Sequence, residues 1–300
     1  MWSVVEALER FIQSLELTET QREEVSRQHT LVREELRRRL KSKTDFLSGS
    51  YSRNTAIRPL HDIDLFVVLG PEAAPPSPPV PGALFKPSAQ GLTPDAALKW
   101  VRQSLKEAWP NKDLARLQHH SVNTGFTKSG IDFDVVPAYE LPDQQVYLIP
   151  DREGGTWIRT NPRLHQQLST EANERSGKKL KPLLKAVKHW NRRHDSSPLR
   201  SFHLEAMSYG ALPRPMEGYL EPLEELFSQL ARLVLRPCPD PARLGPDVDA
   251  RMSSTQREAA RQLLERAANE VRLSREERTS RPEQAHARLR KLFGDEYRYR

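Results

Sequence analysis

The stretch GSYSRNTAIRPLHDIDLFVVLG, residues 49–70, joins a glycine–serine pair, a polar connection, two aspartates one residue apart and an apolar run. The apolar run LFVVL is rich in β-branched and aromatic residues, which favours a strand buried on both faces. Asp62 and Asp64 stand at its start with the period of a strand, so both carboxylates point to the same face. They form either a solvated strand entrance or, because Mg²⁺ prefers carboxylate oxygens, a divalent-metal site.

The composition bounds the class of protein. With 37% hydrophobic and 29% charged residues, the 300-residue chain is expected to be soluble and globular, and it contains no run near the roughly 18 apolar residues of a membrane span. The acidic, amphipathic N-terminal segment is neither a signal nor a transit peptide. Cys238 is the only cysteine, which excludes internal disulfides and multi-cysteine zinc sites and fits a reducing cytoplasm. The net charge of +7 favours a polyanionic partner or is merely a solvated cationic surface.

The order of predicted elements indicates two lobes. Residues 2–43 are predicted to form two helices, and residues 93–110 a helix that Thr93 caps. The seven prolines of residues 71–87 predict an extended surface loop. Strands are predicted near 114–127 and at 130–140, where Pro137 should end the strand, and only helices follow residue 160. The fold class is therefore α+β: a mixed sheet with helices, then an α-helical lobe, with the active site in a cleft between them.

A second acidic strand changes the interpretation of the first. In IDFDVV, residues 131–136, Asp132 and Asp134 share one face. Phosphoryl transfer assisted by two metal ions uses about three carboxylates, and either aspartate of this strand can supply the third. Gly49 and Ser50 suit a triphosphate, because glycine lets backbone N–H groups approach phosphates and the serine hydroxyl donates another hydrogen bond.

Gly49-Ser50, eleven residues and then Asp62-Ile63-Asp64 resembles the signature of the DNA polymerase β-like nucleotidyltransferase superfamily. The sequence of the whole stretch resembles those of the bacterial CD-NTases, which are relatives of cGAS and the oligoadenylate synthases. IDFDVVPAY, residues 131–139, resembles the strand of the third carboxylate in that branch. The resemblance implies that Asp62, Asp64 and Asp134 are the catalytic metal ligands, and that Asp132 supports them.

Two helical segments extend the resemblance. LKPLLKAVKHWNRR (180–193) and SFHLEAM (201–207) are similar to segments that hold the nucleotide in this family. By this resemblance Lys188 contacts the triphosphate, Ser201 contacts a phosphate and Phe202 stacks on the base. The implied domains are a nucleotidyltransferase core with N-terminal helices at residues 1–160 and a helical nucleotide-binding lobe at 161–300.

The resemblance also implies an activity. It predicts a cytoplasmic, Mg²⁺-dependent enzyme that joins NTPs, ATP among them, into a cyclic di- or trinucleotide second messenger with release of pyrophosphate. Two Mg²⁺ ions are expected, and Mn²⁺ can substitute for them. In bacteria such enzymes serve anti-phage (CBASS-type) signalling, so the implied partners are a regulatory protein or an activating polyanion, and an effector that binds the product. No membrane partner is expected.

Three other functions compete with this one. A template-independent polymerase of RNA 3′ ends, of the poly(A) or CCA-adding kind, uses the same carboxylates but normally needs a further RNA-binding domain. An inert nucleic-acid-binding relative would have lost the carboxylates, which are all present here. An antibiotic-modifying nucleotidyltransferase would make no oligonucleotide from NTPs alone. The remaining histidines, His119 and His120 included, lack the spacing of metal ligands and are expected to be structural or exposed.

Overall fold

A computed structural model describes residues 2–40, 42–70, 92–110, 115–125, 131–142, 145–194 and 197–300. Their contacts divide the chain into a sheet unit, residues 18–52 and 59–164, and a helical unit, residues 1–17, 53–58 and 165–300. The first helix, which we predicted within the nucleotidyltransferase core, thus makes its contacts in the helical unit. The proline-rich segment at 71–87 lies outside the described residues.

The sheet unit carries every strand found among the described residues. In chain order its elements are α2 (Glu19–Leu40), β1 (Thr44–Ser48), α3 (Gly49–Ser52), β2 (Asp62–Val68), α4 (Pro94–Ala108), β3 (Arg116–Leu117), β4 (Val122–Thr124), β5 (Asp132–Glu140), β6 (Tyr147–Asp151) and β7 (Thr156–Thr160). The strands lie in the order β1-β2-β5-β4-β3, while β6 pairs with β5 and with β7. The β2–β5 pair is parallel and the other pairs are antiparallel, so the predicted mixed sheet is confirmed.

The central strand β2 is buried on both faces, as its apolar run predicts. Ile63, Leu65 and Val67 belong to a core that includes residues of α2 and α4. On the opposite face, Phe66 and Val68 pack in a smaller cluster with Tyr147. The predicted helix is α4, in which the hydroxyl of Thr93 accepts a hydrogen bond from the Ala96 N–H. Both faces of β2 are therefore fixed by packing, which holds its first residues in a defined register.

The prediction that Pro137 ends its strand is wrong. β5 continues to Glu140, and Pro137 stands opposite Val67 of β2. On the other side of β5, pairing with β4 ends at Val135 and pairing with β6 begins at Tyr139. A residue without an N–H is tolerated because it falls in this gap between two partners.

The helical unit is built from α1 (Val4–Ser14), most of α5 (Pro162–Arg175), α6 (Leu180–Arg192), α7 (Ser201–Ser208), α8 (Leu220–Leu233), α9 (Ser254–Glu277), α10 (Pro282–Phe293) and a 3₁₀ turn, Gly294–Glu296. One core joins them, and it also includes Ile57 of the segment 53–58. The helical C-terminal part predicted from the sequence is confirmed. Within the described part of the chain, no helix is both long and apolar enough to cross a membrane.

Candidate active site

The parallel pairing of β2 with β5 brings the two acidic motifs side by side. In register, Asp62 stands opposite Asp132 and Asp64 opposite Asp134. Because alternate residues of a strand share a face, all four carboxylates start from one face of the sheet, which we call the aspartate face. Asp62 is exposed, whereas the other three are half-buried. The structure thus joins, on two neighbouring strands, the carboxylates that the sequence presented about seventy residues apart.

The surroundings of Asp134 perturb its carboxyl group. Burial raises the pKa of Asp134 above its usual range, and the negative charges of Asp62 and Asp132 raise it further. Hydrogen bonds from Asn123 and Ser121 act in the opposite direction. The Asn123 Nδ2 donates to Asp134 Oδ1 at 2.9 Å from the adjacent strand β4. A cation at this face would relieve the repulsion that raises the pKa. Asn123 was missed by the sequence analysis, since only the β4–β5 register places it beside Asp134.

Gly49 lies directly against Asp64. Strand β1 pairs with β2 so that Ser48 stands opposite Asp64, and Gly49 follows with a φ of +67°. A Cβ built on Gly49 would lie 1.6 Å from Asp64 Oδ2 and 2.6 Å from its Cγ. Only glycine fits here, because the Asp64 carboxylate fills the space of a side chain and the left-handed backbone also favours glycine. Ser50 is the next residue, half-buried in the short helix α3. Both halves of the Gly-Ser…Asp-x-Asp motif therefore meet at one point of the sheet.

The donor set of the aspartate face fits a hard divalent cation. Carboxylate oxygens are the ligands that Mg²⁺ takes from proteins, and the absence of a side chain at Gly49 leaves room for the Asp64 carboxylate. The three predicted ligands do not converge fully in this structure. Among the described residues, only His119, His120 and Asp151 have three ligand atoms all within 4.8 Å of one another. The assignment of Asp62, Asp64 and Asp134 as metal ligands stays a prediction.

Lys188 belongs to a buried ionic cluster of the helical unit. Its ammonium group contacts the Glu205 carboxylate, and it donates to the backbone oxygen of Thr55 at 3.1 Å. Arg53 Nε donates to the other Glu205 oxygen at 2.7 Å. Burial alone would raise the pKa of Glu205, but the charges of Lys188 and Arg53 outweigh it and lower the pKa to about 2. This buried cluster, Arg53–Lys188–Glu205, anchors the segment between the two halves of the signature motif.

The predicted nucleotide contacts of the helical unit differ in their exposure to solvent. Ser201 is exposed at the start of α7, and Phe202 is half-buried. The Arg53 guanidinium lies over the Phe202 ring, 5.1 Å from its centroid, and the His165 ring lies 5.2 Å away. Lys188 is only 4% exposed. Its contact with a triphosphate therefore stays a prediction, as do the roles of Ser201 and Phe202.

Sequence analysis missed Arg53 and Glu205, although one signal pointed to them. Lys188 comes four residues after Leu184 and so lies on the apolar stripe of α6, where a lysine is stable only beside a buried carboxylate. The partner could not be named, because Glu205 and Arg53 come from distant parts of the chain.

The fold and the aspartate face define a nucleotidyltransferase class, and comparison with known families specifies it. The sequence model of the Second Messenger Oligonucleotide or Dinucleotide Synthetase domain matches residues 2–173. The chain belongs to this family, which confirms the predicted CD-NTase membership.

Individual relatives agree with this membership. The chain is 29% identical over 199 residues to a cyclic AMP-AMP-AMP synthase of Escherichia coli (strain MS 115-1), an alignment that covers 63% of this chain and 57% of the relative. The chain thus matches little more than half the length of that relative.

Solved structures of two proteins share the fold. CdnC of E. coli MS115-1, solved with ATP and also in a complex with HORMA-deltaN, superposes with a TM-score of 0.76 at 21% identity, over 98% of both chains. The cyclic AMP-GMP synthase DncV of Vibrio cholerae superposes with a TM-score of 0.77 at 13% identity, over 100% of this chain and 98% of that chain. The polymerase β-like fold predicted from the sequence is confirmed.

Proposed function

We propose that the chain is a cytoplasmic nucleotidyltransferase that joins NTPs, ATP among them, into a short cyclic oligonucleotide and releases pyrophosphate. The observation that carries this proposal is the register that sets Asp62 and Asp64 of β2 beside Asp132 and Asp134 of β5. The close approach of Gly49 to Asp64 adds the phosphate-binding half of the motif. Membership of a family of second-messenger synthetases supports a cyclic product over an extended RNA.

Asp62, Asp64 and Asp134 would hold two Mg²⁺ ions, with Mn²⁺ as a substitute. When bound, these ions supply Lewis-acid polarisation of the phosphates and a lower pKa for the attacking hydroxyl. The side chains of the protein contribute a proton transfer: Asp134 accepts the proton of the 2′- or 3′-hydroxyl that attacks the α-phosphorus. The bond from that phosphorus to the bridging oxygen breaks, and pyrophosphate leaves.

The helical unit would contribute nucleotide contacts. The exposed Ser201 hydroxyl suits a phosphate, and Phe202 offers an aromatic face to a base. Lys188 would contact the triphosphate only by exchanging its Glu205 contact for the phosphate, because its ammonium is buried in the Arg53–Lys188–Glu205 cluster.

The proposed setting is anti-phage signalling, in which an effector binds the product. A HORMA-type protein is a candidate regulatory partner, since CdnC of E. coli has been solved in such a complex. An activating polyanion is the other candidate, supported by the net charge of +7.

Product analysis tests the proposed function. The purified chain is incubated with each labelled NTP and with NTP mixtures in Mg²⁺ or Mn²⁺, with and without the candidate partner, and phosphatase-resistant products are identified by mass. We expect a ring of two or three nucleotides made without primer. Linear, phosphatase-sensitive chains, or dependence on an added RNA 3′ end, would instead support the RNA polymerase function.

The Gly49→Ala variant is expected to lose activity by about 100-fold. The new Cβ overlaps the Asp64 carboxylate, so Asp64 must rotate away from the position in which it serves the reaction, and displacements of about 1 Å cost this much in rate. Initial rates of pyrophosphate release at saturating NTP measure the effect.

Gly218→Ala is the matched control for this variant. Gly218 has a similar φ of +60°, but nothing lies within 4 Å of its added Cβ. Both variants carry the cost of a left-handed alanine, about 1 to 2 kcal/mol, and only Gly49→Ala moves a carboxylate. Equal activity losses in the two variants would contradict the role of Gly49 in positioning Asp64.

A further inference from the structure

Two adjacent histidines meet an aspartate at a second place in the sheet unit. His119 and His120 lie in the turn between β3 and β4, and Asp151 ends β6. The Arg152 N–H donates to the His119 carbonyl oxygen at 3.0 Å, which joins the turn to the hairpin of β6 and β7. One ligand atom from each of the three side chains lies within 4.8 Å of the other two. The sequence analysis assigned no ligand role to the histidine pair, because Asp151 reaches it only in the folded chain.

We propose that His119, His120 and Asp151 form a binding site for a divalent transition-metal ion, with Zn²⁺ as the ion that fits best. Two imidazoles and one carboxylate are a common Zn²⁺ ligand set, completed by water. His119 Nε2 lies 3.0 Å from Asp151 Oδ1. This is close to the roughly 3.3 Å that separates two ligands of a tetrahedral Zn²⁺ at about 2.0–2.1 Å from each. In the metal-free protein a proton on Nε2 makes this contact, and the ion would take the place of that proton.

Neighbouring groups hold the ligands in the form that a metal needs. His120 Nδ1 lies 2.6 Å from the Pro150 carbonyl oxygen. A carbonyl only accepts hydrogen bonds, so Nδ1 carries the proton and Nε2 of the neutral ring keeps its lone pair for a metal. Asp151 Oδ1 accepts a hydrogen bond from the Gly154 N–H at 3.1 Å, and Glu153 Oε1 lies 3.3 Å from His119 Nδ1. The backbone contacts of His120 and Asp151 are of the kind that orient the ligands of metal sites.

The site is accessible to solvent, and its ligand atoms differ from those of the aspartate face. The side chains of His119 and Asp151 are 26% and 23% exposed, so an ion can enter and water can complete its coordination. Imidazole nitrogens select Zn²⁺ over Mg²⁺, whereas the aspartate face offers only oxygens. The alternative is a simple His119–Asp151 ion pair, in which His120 has no role. An experiment must distinguish this ion pair from a metal site.

A bound ion would brace the strand that supports Asp134. The turn with His119 and His120 leads directly into β4, whose Asn123 donates to Asp134. Asp151 belongs to β6, which pairs with β5. The ion would thus link the turn before β4 to the end of β6, as a structural clip. Strands β4 and β6 pair with the same edge of β5, opposite β2, so the ion would tie together the two partners of that edge.

Metal titration of the full chain tests the proposal. The Asp64→Asn variant serves as the parent protein, so that binding at the aspartate face is weakened and no nucleotide chemistry interferes. Tag-free, metal-stripped protein is titrated with Zn²⁺ in excess Mg²⁺ by calorimetry, and with Co²⁺ by visible absorption. We expect one Zn²⁺ per chain, a higher Tm with Zn²⁺, and Co²⁺ bands of a nitrogen- and oxygen-ligated ion.

Three further substitutions in this parent decide between a site and an ion pair. His120→Ala and Asp151→Asn should each weaken Zn²⁺ binding at least about tenfold. His194→Ala is the matched control, since His194 Nδ1 also contacts a backbone carbonyl, that of Trp190 at 2.8 Å. Asp151→Asn keeps the side-chain volume, and circular dichroism verifies the fold. The proposal is overturned if His120→Ala and Asp151→Asn leave the Zn²⁺ affinity unchanged, or if the parent binds no Zn²⁺. Neither result bears on the proposed nucleotidyl transfer.

Discussion

Replacement of Asp64 with asparagine is expected to lower nucleotidyl transfer by about 1,000-fold, which corresponds to about 4 kcal/mol of transition-state stabilisation. Asparagine has nearly the same volume, so the packing against Gly49 is kept while the charge that would hold a cation is lost. Pyrophosphate release and mass analysis of the products measure the effect, and thermal unfolding shows that the fold is intact. An Asp64→Asn variant that keeps more than about a tenth of the parent activity would contradict the assignment of Asp64 as a metal ligand.

Asp132 provides the matched control on the same face of the sheet. It stands opposite Asp62 as Asp134 stands opposite Asp64, and it is also half-buried. The proposed roles predict that Asp134→Asn loses activity nearly as completely as Asp64→Asn, because it removes the base. Asp132→Asn should keep at least about a tenth of the activity, because Asp132 only supports the ligands. The reverse order would assign the third carboxylate to Asp132.

The second large effect is expected from Glu205→Gln. Glu205 is fully buried and faces both Lys188 and Arg53, so its neutralisation removes the carboxylate that pairs with two buried cations. Removing one partner of a buried ion pair costs about 3 to 5 kcal/mol. We expect a loss of this size in the free energy of unfolding, measured by urea denaturation. Lys188→Met should cost less, because Arg53 still pairs with Glu205.

The pH dependence of stability gives a second readout of the same cluster. The pKa of Glu205 is lowered from 4.5 to about 2. The stabilisation by its charge is therefore complete above about pH 4.5 and is lost as the pH falls toward 2. The parent protein should lose stability over this window, and Glu205→Gln should lose less.

Glu258 is the control for this effect. Its pKa is also lowered to about 2, by hydrogen bonds from Arg261 and Gln262, but its side chain on α9 is 47% exposed. Water and salt screen such a pair, so Glu258→Gln should change stability little. Similar losses in both variants would show that burial of Glu205 does not decide its contribution.

Much of the fold and of the aspartate face could be predicted because the local sequence patterns that form these elements also contain the candidate site residues. The run after Asp64 has the composition of a strand buried on both faces, and Thr93 caps α4 as its sequence indicates. The Asp-x-Asp and IDFDVV motifs each carry the period of a strand. Their meeting required only that two neighbouring strands pair in register.

The features that were missed depend on partners from distant parts of the chain. Strands β1, β6 and β7 are five residues each and become strands through their pairing. Pro137 is compatible with β5 only because β4 and β6 leave a gap beside it. Lys188 lies on the apolar stripe of α6, but its partners Glu205 and Arg53 come from distant parts of the chain. His119 and His120 have no local ligand spacing, and their neighbour Asp151 lies on a later hairpin.

The division of the chain into nested segments limits how it can be cut or recombined. The helical unit takes residues 1–17 and 53–58 as well as 165–300, so no single break separates it from the sheet unit. A fragment that begins at His165 lacks Phe11 and Ile57, which are buried in the helical core, and Arg53, which pairs with Glu205. It would expose apolar surface and leave a buried carboxylate with one cation fewer. Chimeras that exchange one contiguous half between relatives should therefore misfold. Recombination between relatives can exchange the two units only together.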